Sequence, residues 1–211
     1  MSRYILLDRD GVINRRTPNG YVTSWEQFEF LPRALDALRL LAEDGYRALV
    51  VSNQACVSKG LINSEGLAEL TRRFAEEVEK NGGHIDGVYY CPHQDRDGCG
   101  CRKPKPGLLL QAHREHRFAF AQTFLVGDSE LDLIAAHTVG CPAILVRAGN
   151  LNTRSSAHSP GLAQTFRSAI RPARHTGNAD LKVCASRTVR DLYEAVQLIL
   201  SDGQSAIGSR Q

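Results

Sequence analysis

The chain has 211 residues, enough for one domain with a sizeable core, and its 23% charged and 42% hydrophobic residues are ordinary for a globular protein. Residues 151–179 contain four arginines and no acid, so they account for the formal net charge of +3. The rest of the chain is not basic, which argues against a nucleic-acid-binding protein. No apolar run is long enough to span a membrane and the first ten residues do not resemble a signal peptide, so we expect a cytoplasmic protein.

Short apolar runs alternate with segments of helical periodicity along most of the chain. This alternation predicts an α/β fold with a doubly wound parallel sheet, in which ligands bind beyond the carboxyl ends of the strands. The predicted strands are residues 3–7, 48–52, 87–91, 123–128, 143–147 and 181–185. The predicted helices are residues 33–44, 64–80, 106–116, 130–139 and 189–200.

Residues 150–179 interrupt this alternation. They are rich in Ser, Arg, Asn and Thr and include Pro160 and Pro172, which predicts a mobile basic insertion. The tail after Asp202 is expected to fray. We interpret residues 1–211 as a single domain, and we expect a monomer.

Two aspartates follow the first predicted strand directly, in the segment DRDGVIN that begins at residue 8. A carboxylate such as Asp8 can act as a covalent nucleophile toward phosphorus. Asp10 can reach the same ligand from another side, and a carboxylate pair beside an anionic substrate suits Mg²⁺. Taken alone, the segment is equally compatible with a polar turn at the end of a strand.

Further polar residues stand at other predicted strand ends and in one loop. Hydroxyl and main-chain N–H groups after the second strand suit a phosphate, and the residues concerned are Ser52, Asn53 and Gln54. Arg102 and Lys103 are candidate phosphate-binding cations, and Asp128 is a candidate third carboxylate. Each segment alone is also compatible with a turn or a surface loop, and Asp132 with an acid at a helix N-terminus.

In this order, the four segments resemble the four motifs of the haloacid dehalogenase superfamily of phosphohydrolases, which has a Rossmann-like fold. The resemblance implies that Asp8 is the nucleophile and that Asp10 protonates the leaving oxygen and then activates water. It implies that Ser52 and Lys103 hold the phosphoryl group. It also implies a Mg²⁺ ion held by Asp8, the main-chain carbonyl of Asp10, and Asp128.

Three cysteines and a histidine lie within residues 91–101, CPHQDRDGCGC. In a cytosolic chain such a cluster favours metal ligation over disulfides, and this ligand set is typical of a structural Zn²⁺ site. The predicted ligands are Cys91, His93, Cys99 and Cys101. Because the loop leads directly into Arg102 and Lys103, zinc would fix the position of that pair.

A zinc loop of this shape is similar to that of one branch of the superfamily, which includes heptose bisphosphate phosphatases and histidinol-phosphate phosphatases. Residues 19–32 and 145–150 resemble the heptose enzymes and favour that family over the second. The resemblance implies a small sugar bisphosphate as substrate. It assigns sugar contacts to Asn19, Gly20 and Tyr21, and a second phosphate or a hydroxyl to Arg102.

The chain departs from that family pattern at Ser129, a candidate substrate contact that stands where the best-known heptose enzymes have lysine. Arg15 or Arg16 could replace the missing cation, as could an arginine from residues 151–179.

The spacing between the motifs leaves no room for a cap domain. We therefore expect small loops, residues 15–25, residues 55–63 and the zinc loop, to select the substrate. In the second of these, Lys59 is either a phosphate contact or a surface lysine. A non-catalytic phosphate-binding module is the alternative of another class, but such a protein would be expected to lack Asp8.

Overall fold

The structure is a computed structural model, and it describes residues 2–18, 20–147 and 187–207. Its strands are β1 Arg3–Leu7, β2 Tyr46–Asn53, β3 Gly87–Cys91, β4 Phe124–Gly127, β5 Ala143–Val146 and β6 Arg187–Val189. Its helices are α1 Ala34–Glu43, α2 Ser64–Lys80, α3 Gly107–His116, α4 Glu130–Thr138 and α5 Leu192–Ile207. The described residues form one parallel sheet with the strand order β3-β2-β1-β4-β5-β6.

The predicted α/β fold with a parallel sheet is confirmed. Strand β2 is longer than predicted, because its pairing with β1 begins at Tyr46 and its pairing with β3 continues to Asn53. Helix α5 extends to Ile207, beyond the position at which we expected the tail to fray. The predicted insertion at 150–179 and the predicted strand at 181–185 lie outside the described residues, and β6 begins at Arg187.

Helices cover both faces of the sheet, so the fold is doubly wound. Successive side chains of a strand point to opposite faces. Ile5 and Leu7 accordingly pack in the core cluster that includes side chains from α1, α2 and α5, whereas Leu6 packs in the cluster with α3 and α4. Burial on both faces explains why the strands appear in the sequence as continuous apolar runs.

The strand order places the topological switch point between β1 and β4. The chain runs from β1 outward through β2 and β3, then returns to β4 on the other side of β1. Leu7 is paired with Val126, and the Asp8 N–H donates to the Val126 carbonyl at 2.9 Å. The residues that follow these two strands therefore lie side by side where this class of sheet binds ligands.

No cap domain stands over this edge in the described part of the chain. The connection from β1 to α1 contains a single 3₁₀ turn, Trp25–Gln27, and residues 54–63 form turns. Loops surround the carboxyl ends of the strands here, as predicted. Among the described helices, none combines the length and the hydropathy that crossing a bilayer requires.

Candidate active site

Asp8 is the first residue after β1 and is only 5% exposed. Its Oδ1 accepts a hydrogen bond from the Arg9 N–H at 2.8 Å and lies 3.0 Å from Lys103 Nζ. These contacts fix a nearly buried carboxylate at the bottom of a cleft.

Lys103 is also buried, at 3% exposure. Its ammonium donates to the Val51 carbonyl at 2.8 Å and forms ion pairs with Asp8 and Asp132. Burial alone would lower the pKa of Lys103, but the two carboxylates outweigh it and raise the pKa above its ordinary value. The site therefore contains a fixed positive charge beside the candidate nucleophile.

The side chain of Asn53 binds the main chain of Lys103 from both sides. The Lys103 N–H donates to Asn53 Oδ1 at 3.0 Å, and Asn53 Nδ2 donates to the Lys103 carbonyl at 3.1 Å. This pair attaches the lysine loop to the end of β2. Asn53 also lines the cleft, so its predicted place at the site is compatible with a positioning role.

Asp132, at the start of α4, is a site residue that the sequence indicated only as a helix N-terminal acid. It is fully buried and forms a capping box with Ser129, whose N–H donates to Asp132 Oδ2 at 3.1 Å. The Ser129 hydroxyl donates to the same oxygen. The other oxygen, Oδ1, binds Lys103. A Cβ at Gly127 would lie 2.4 Å from the Asp132 side chain, so this close approach requires glycine.

The Asp10 carboxylate accepts hydrogen bonds from three side chains. Arg9 donates to both of its oxygens at 3.1 Å, Asn14 Nδ2 donates to Oδ1 at 2.8 Å, and Gln54 Nε2 donates to Oδ2 at 2.6 Å. Arg9 is fully buried and also contacts the hydroxyl of Tyr90. Arg9 and Asn14 were not among the predicted site residues, although both stand inside the DRDGVIN segment.

Gln54, predicted to bind substrate, does not line the cleft. It is fully buried, its main-chain N–H donates to the Cys91 carbonyl at 2.7 Å, and its side chain binds Asp10, Ser52 and Arg9. Its donors are thus engaged within the protein. The structure gives Gln54 the role of holding Asp10 and Ser52 in place.

Asp128 follows β4 and is bound by two nitrogens of the Arg16 guanidinium. Arg16 Nε lies 2.7 Å from Asp128 Oδ2, and Nη2 lies 2.6 Å from Oδ1. Burial raises the pKa of Asp128, although Arg16 opposes the shift. Gly11 has φ +92°, and a Cβ there would overlap Asp128, so this turn also needs glycine. Arg15 points elsewhere and pairs with Glu29 at 3.0 Å.

Carboxylate oxygens of Asp8, Asp128 and Asp132 lie within 4.8 Å of one another. Such a group of hard oxygen donors fits a divalent cation of the Mg²⁺ type. The Asp10 carboxylate is not in this group, because it is engaged by Arg9, Asn14 and Gln54. The predicted magnesium contact through the Asp10 main-chain carbonyl stays a prediction.

Asp8 and Asp10 line a cleft of about 310 Å³. Tyr21, one of the predicted substrate contacts, lies in its wall, and Lys59 Nζ lies 4.8 Å from the centre of the Tyr21 ring. Asn19, a further predicted contact, lies outside the described residues. The lining residues are Asp8, Asp10, Arg16, Gly20, Tyr21, Ser52, Asn53, Arg102, Lys103, Ser129 and Leu131.

The predicted zinc ligands converge beside the cleft. The three sulfur atoms are 3.2 to 3.6 Å apart, and His93 Nδ1 lies 3.3 Å from Cys101 Sγ. Sulfurs around a tetrahedral Zn²⁺ are roughly 3.8 Å apart, given Zn–S bonds of about 2.3 Å. The cluster of Cys91, His93, Cys99 and Cys101 could therefore hold zinc.

Arg102 connects this cluster to the cleft. Its Nη1 donates to the His93 carbonyl at 3.2 Å, and its Nε pairs with Asp95. The loop is closed further by Lys105, whose ammonium binds the Cys99 carbonyl at 2.6 Å. Arg102 is thereby fixed in the cleft wall by the conformation of the cysteine loop.

Comparisons with known proteins agree with this geometry. A family model described as HAD-hydrolase-like matches residues 100–169. The chain is 37% identical over 150 residues to the D-glycero-beta-D-manno-heptose-1,7-bisphosphate 7-phosphatase of Pseudomonas aeruginosa, covering 71% of this chain and 84% of that protein. It is 41% identical over 140 residues to the D-glycero-alpha-D-manno-heptose-1,7-bisphosphate 7-phosphatase of Mycobacterium bovis, covering 66% and 74%.

A solved structure resembles the whole fold. The D,D-heptose 1,7-bisphosphate phosphatase of B. bronchiseptica, crystallised with magnesium and phosphate, superposes with a TM-score of 0.75 at 28% sequence identity. The match covers 95% of this chain and 99% of that one.

Proposed function

This chain is a phosphatase that belongs to the HAD-like family of the D-glycero-D-manno-heptose-1,7-bisphosphate 7-phosphatases, and we propose that it removes the 7-phosphate of that sugar bisphosphate. The observation that carries the proposal is the buried Asp8–Lys103 pair, at 3.0 Å, at the bottom of a cleft that two arginines also line. The relatives include enzymes named for either anomer, so the proposal covers both.

In the first step, an Asp8 carboxylate oxygen attacks the phosphorus of the C7 phosphate. The P–O bond to the sugar breaks, and the sugar oxygen leaves with a proton from Asp10. Lys103 and Ser52 hold the phosphoryl oxygens, because an ammonium and a hydroxyl at the cleft floor suit the charge of the group in transfer.

In the second step, water attacks the phosphorus of the aspartyl phosphate. Asp10 takes the proton of that water, inorganic phosphate leaves, and the Asp8 carboxylate is restored. The hydrogen bonds from Arg9, Asn14 and Gln54 orient Asp10 for both proton transfers.

Asp8 and Asp128, with the Asp10 main-chain carbonyl, would hold Mg²⁺ at this edge of the sheet. A bound Mg²⁺ would offset the repulsion between the Asp8 carboxylate and the anionic phosphate. The clustering of carboxylate oxygens within 4.8 Å supports this assignment.

The cations of the cleft favour a bisphosphate over histidinol phosphate. Arg16, Arg102 and Lys103 all line it, and a second phosphate gives these cations a second anionic partner. Histidinol phosphate would instead bring its own ammonium group toward arginine side chains. Because of this charge pattern, histidinol-phosphate phosphatase activity is the second candidate function.

The Cys₃His cluster would hold a structural Zn²⁺. Four protein ligands fill a tetrahedral site and leave no open position for chemistry, and the loop that follows Cys91 fixes Arg102 through the His93 carbonyl. We therefore assign zinc a supporting function at the substrate end of the cleft.

A substrate panel tests the proposed function. Initial rates of phosphate release are measured with Mg²⁺ on heptose 1,7-bisphosphate of both anomers, histidinol phosphate and a simple hexose phosphate. We expect one heptose bisphosphate to have the highest kcat/KM. Preference for histidinol phosphate would overturn the assignment.

A further inference from the structure

The contact between Arg16 and Asp128 places one of the cleft's cations on a predicted magnesium ligand. Arg16 Nη2 and Nε donate to Asp128 at 2.6 and 2.7 Å, so both oxygens of the carboxylate are engaged by arginine. The two residues are distant in sequence, and the Arg16 side chain is 52% exposed, whereas that of Asp128 is 14% exposed. Arg16 can therefore leave Asp128 without disturbing the core.

A divalent cation and Arg16 are alternative partners of the Asp128 carboxylate. A cation bound by Asp8 and Asp128 needs at least one oxygen that Arg16 occupies, and it brings more positive charge to that position. Among the described residues, Arg16 has no hydrogen-bond partner other than Asp128. Magnesium binding would leave its guanidinium free at the mouth of the cleft.

The other two cations of the cleft are held in place. Lys103 is buried on Asp8, Asp132 and a carbonyl, and Arg102 is bound to Asp95 and the His93 carbonyl. At the end of β4, Ser129 supplies no charge, and its hydroxyl is used in the cap of α4. Of these three cleft cations, Arg16 is therefore the one whose contacts are all to a predicted magnesium ligand.

We propose that Arg16 is a specificity-determining residue which magnesium transfers from Asp128 to the non-reacting phosphate of the substrate. The proposal rests on the proposed function, since it names the residue that reads the second phosphate. Two consequences can be tested separately. In the absence of substrate, Arg16 should weaken magnesium binding. When magnesium is present, Arg16 should strengthen the binding of a bisphosphate.

The test compares Arg16→Gln with Arg15→Gln. Both changes remove one positive charge, but Arg15 is 57% exposed and pairs with Glu29 outside the cleft. Isothermal titration of the substrate-free protein with Mg²⁺ should give a Kd about three- to tenfold lower for Arg16→Gln, because no arginine has to be displaced. Arg15→Gln should bind Mg²⁺ like the parent.

The second readout is kinetic, at saturating Mg²⁺, on heptose 1,7-bisphosphate and on heptose 7-phosphate. For Arg16→Gln the KM of the bisphosphate should rise about 10- to 100-fold, while the KM of the monophosphate stays within about twofold. An unchanged Mg²⁺ Kd, or an equal change of KM for both substrates, would overturn the proposal. A parent enzyme that cleaves neither heptose ester would refute the proposed function, and the titration would still decide whether Arg16 competes with magnesium.

Discussion

Lys103 Nζ lies 3.0 Å from Asp8 Oδ1, although the two residues come from the loop before α3 and from the end of β1. The pair combines a candidate nucleophile with a cation that stays charged at neutral pH, because Asp8 and Asp132 raise the pKa of Lys103. A phosphoryl group in contact with Asp8 would lie within reach of this ammonium.

Asp8→Asn should abolish turnover while leaving the protein folded. The amide is a poor nucleophile toward phosphorus, so we expect kcat to fall by a factor of about 10⁴ or more. Lys103 keeps Asp132 and the Val51 carbonyl as partners, so the protein should stay folded, with a melting temperature lowered by a few degrees at most because one of two buried ion pairs is lost. Asp36→Asn, an exposed acid on α1, is the control. Turnover by Asp8→Asn at the parental rate would rule out the aspartyl phosphate.

Asp132→Asn should impair catalysis without removing a group that contacts the substrate. The buried ion pair with Lys103 loses its charge, which costs roughly 3 kcal/mol of stability. Lys103 is then drawn toward Asp8 alone, so kcat should fall about 10- to 100-fold with a smaller change in KM. Glu130→Gln alters a neighbouring exposed acid of α4 and should leave both constants unchanged. Equal kinetics for the two variants would show that Asp132 serves only as a helix cap.

Gln54→Met should lower kcat about tenfold by loosening Asp10. The substitution keeps the side-chain volume but removes the donor to Asp10 and the acceptor for buried Arg9. Because Arg9 then has an unmet donor, the free energy of unfolding should fall by about 1–3 kcal/mol. Steady-state kinetics and urea unfolding measure both effects. Gln111→Met, an exposed position on α3, controls for the substitution, and a Gln54→Met enzyme with the parental kcat would contradict the positioning role.

His93→Ala should reduce zinc content, stability and activity together. Loss of one of four ligands weakens a closed metal site, and the metal's binding energy contributes to folding, so the melting temperature should fall by about 10 °C. Arg102 loses its fixed position as the loop relaxes. Metal analysis, thermal melting and kinetics are measured on the same preparations. His84→Ala, at an exposed histidine paired with Glu79, is the control. Lost activity with an unchanged melting curve would indicate a catalytic metal instead.

The sequence predicted the parts of the site that follow from strand order. Asp8 and Asp128 each follow an apolar run, and parallel strands bring such ends to one edge. Their proximity across the switch point is then a consequence of the pairing of Leu7 with Val126. The cysteine cluster was also predictable, because its four ligands lie within 11 residues, from the last residue of β3 into the loop that follows, and need no long-range contact to converge.

The remaining site residues depend on side-chain directions that sequence does not define. A charged residue such as Arg9 normally lies on a surface, and here it is fully buried between Asp10 and Tyr90. The adjacent Arg15 and Arg16 are equivalent in the sequence, but the loop directs one to Glu29 and the other to Asp128. Gln54 follows the second strand in a segment predicted to bind phosphate. In the structure its side chain is buried and donates a hydrogen bond to Asp10 instead.

Phosphorus NMR of heptose 1,7-bisphosphate incubated with the protein and Mg²⁺ shows directly which phosphate is removed. We expect that the C7 phosphate signal disappears, that inorganic phosphate appears in equal amount, and that the C1 phosphate signal remains. Loss of the C1 phosphate, or a spectrum that does not change with either anomer, would contradict the proposed function.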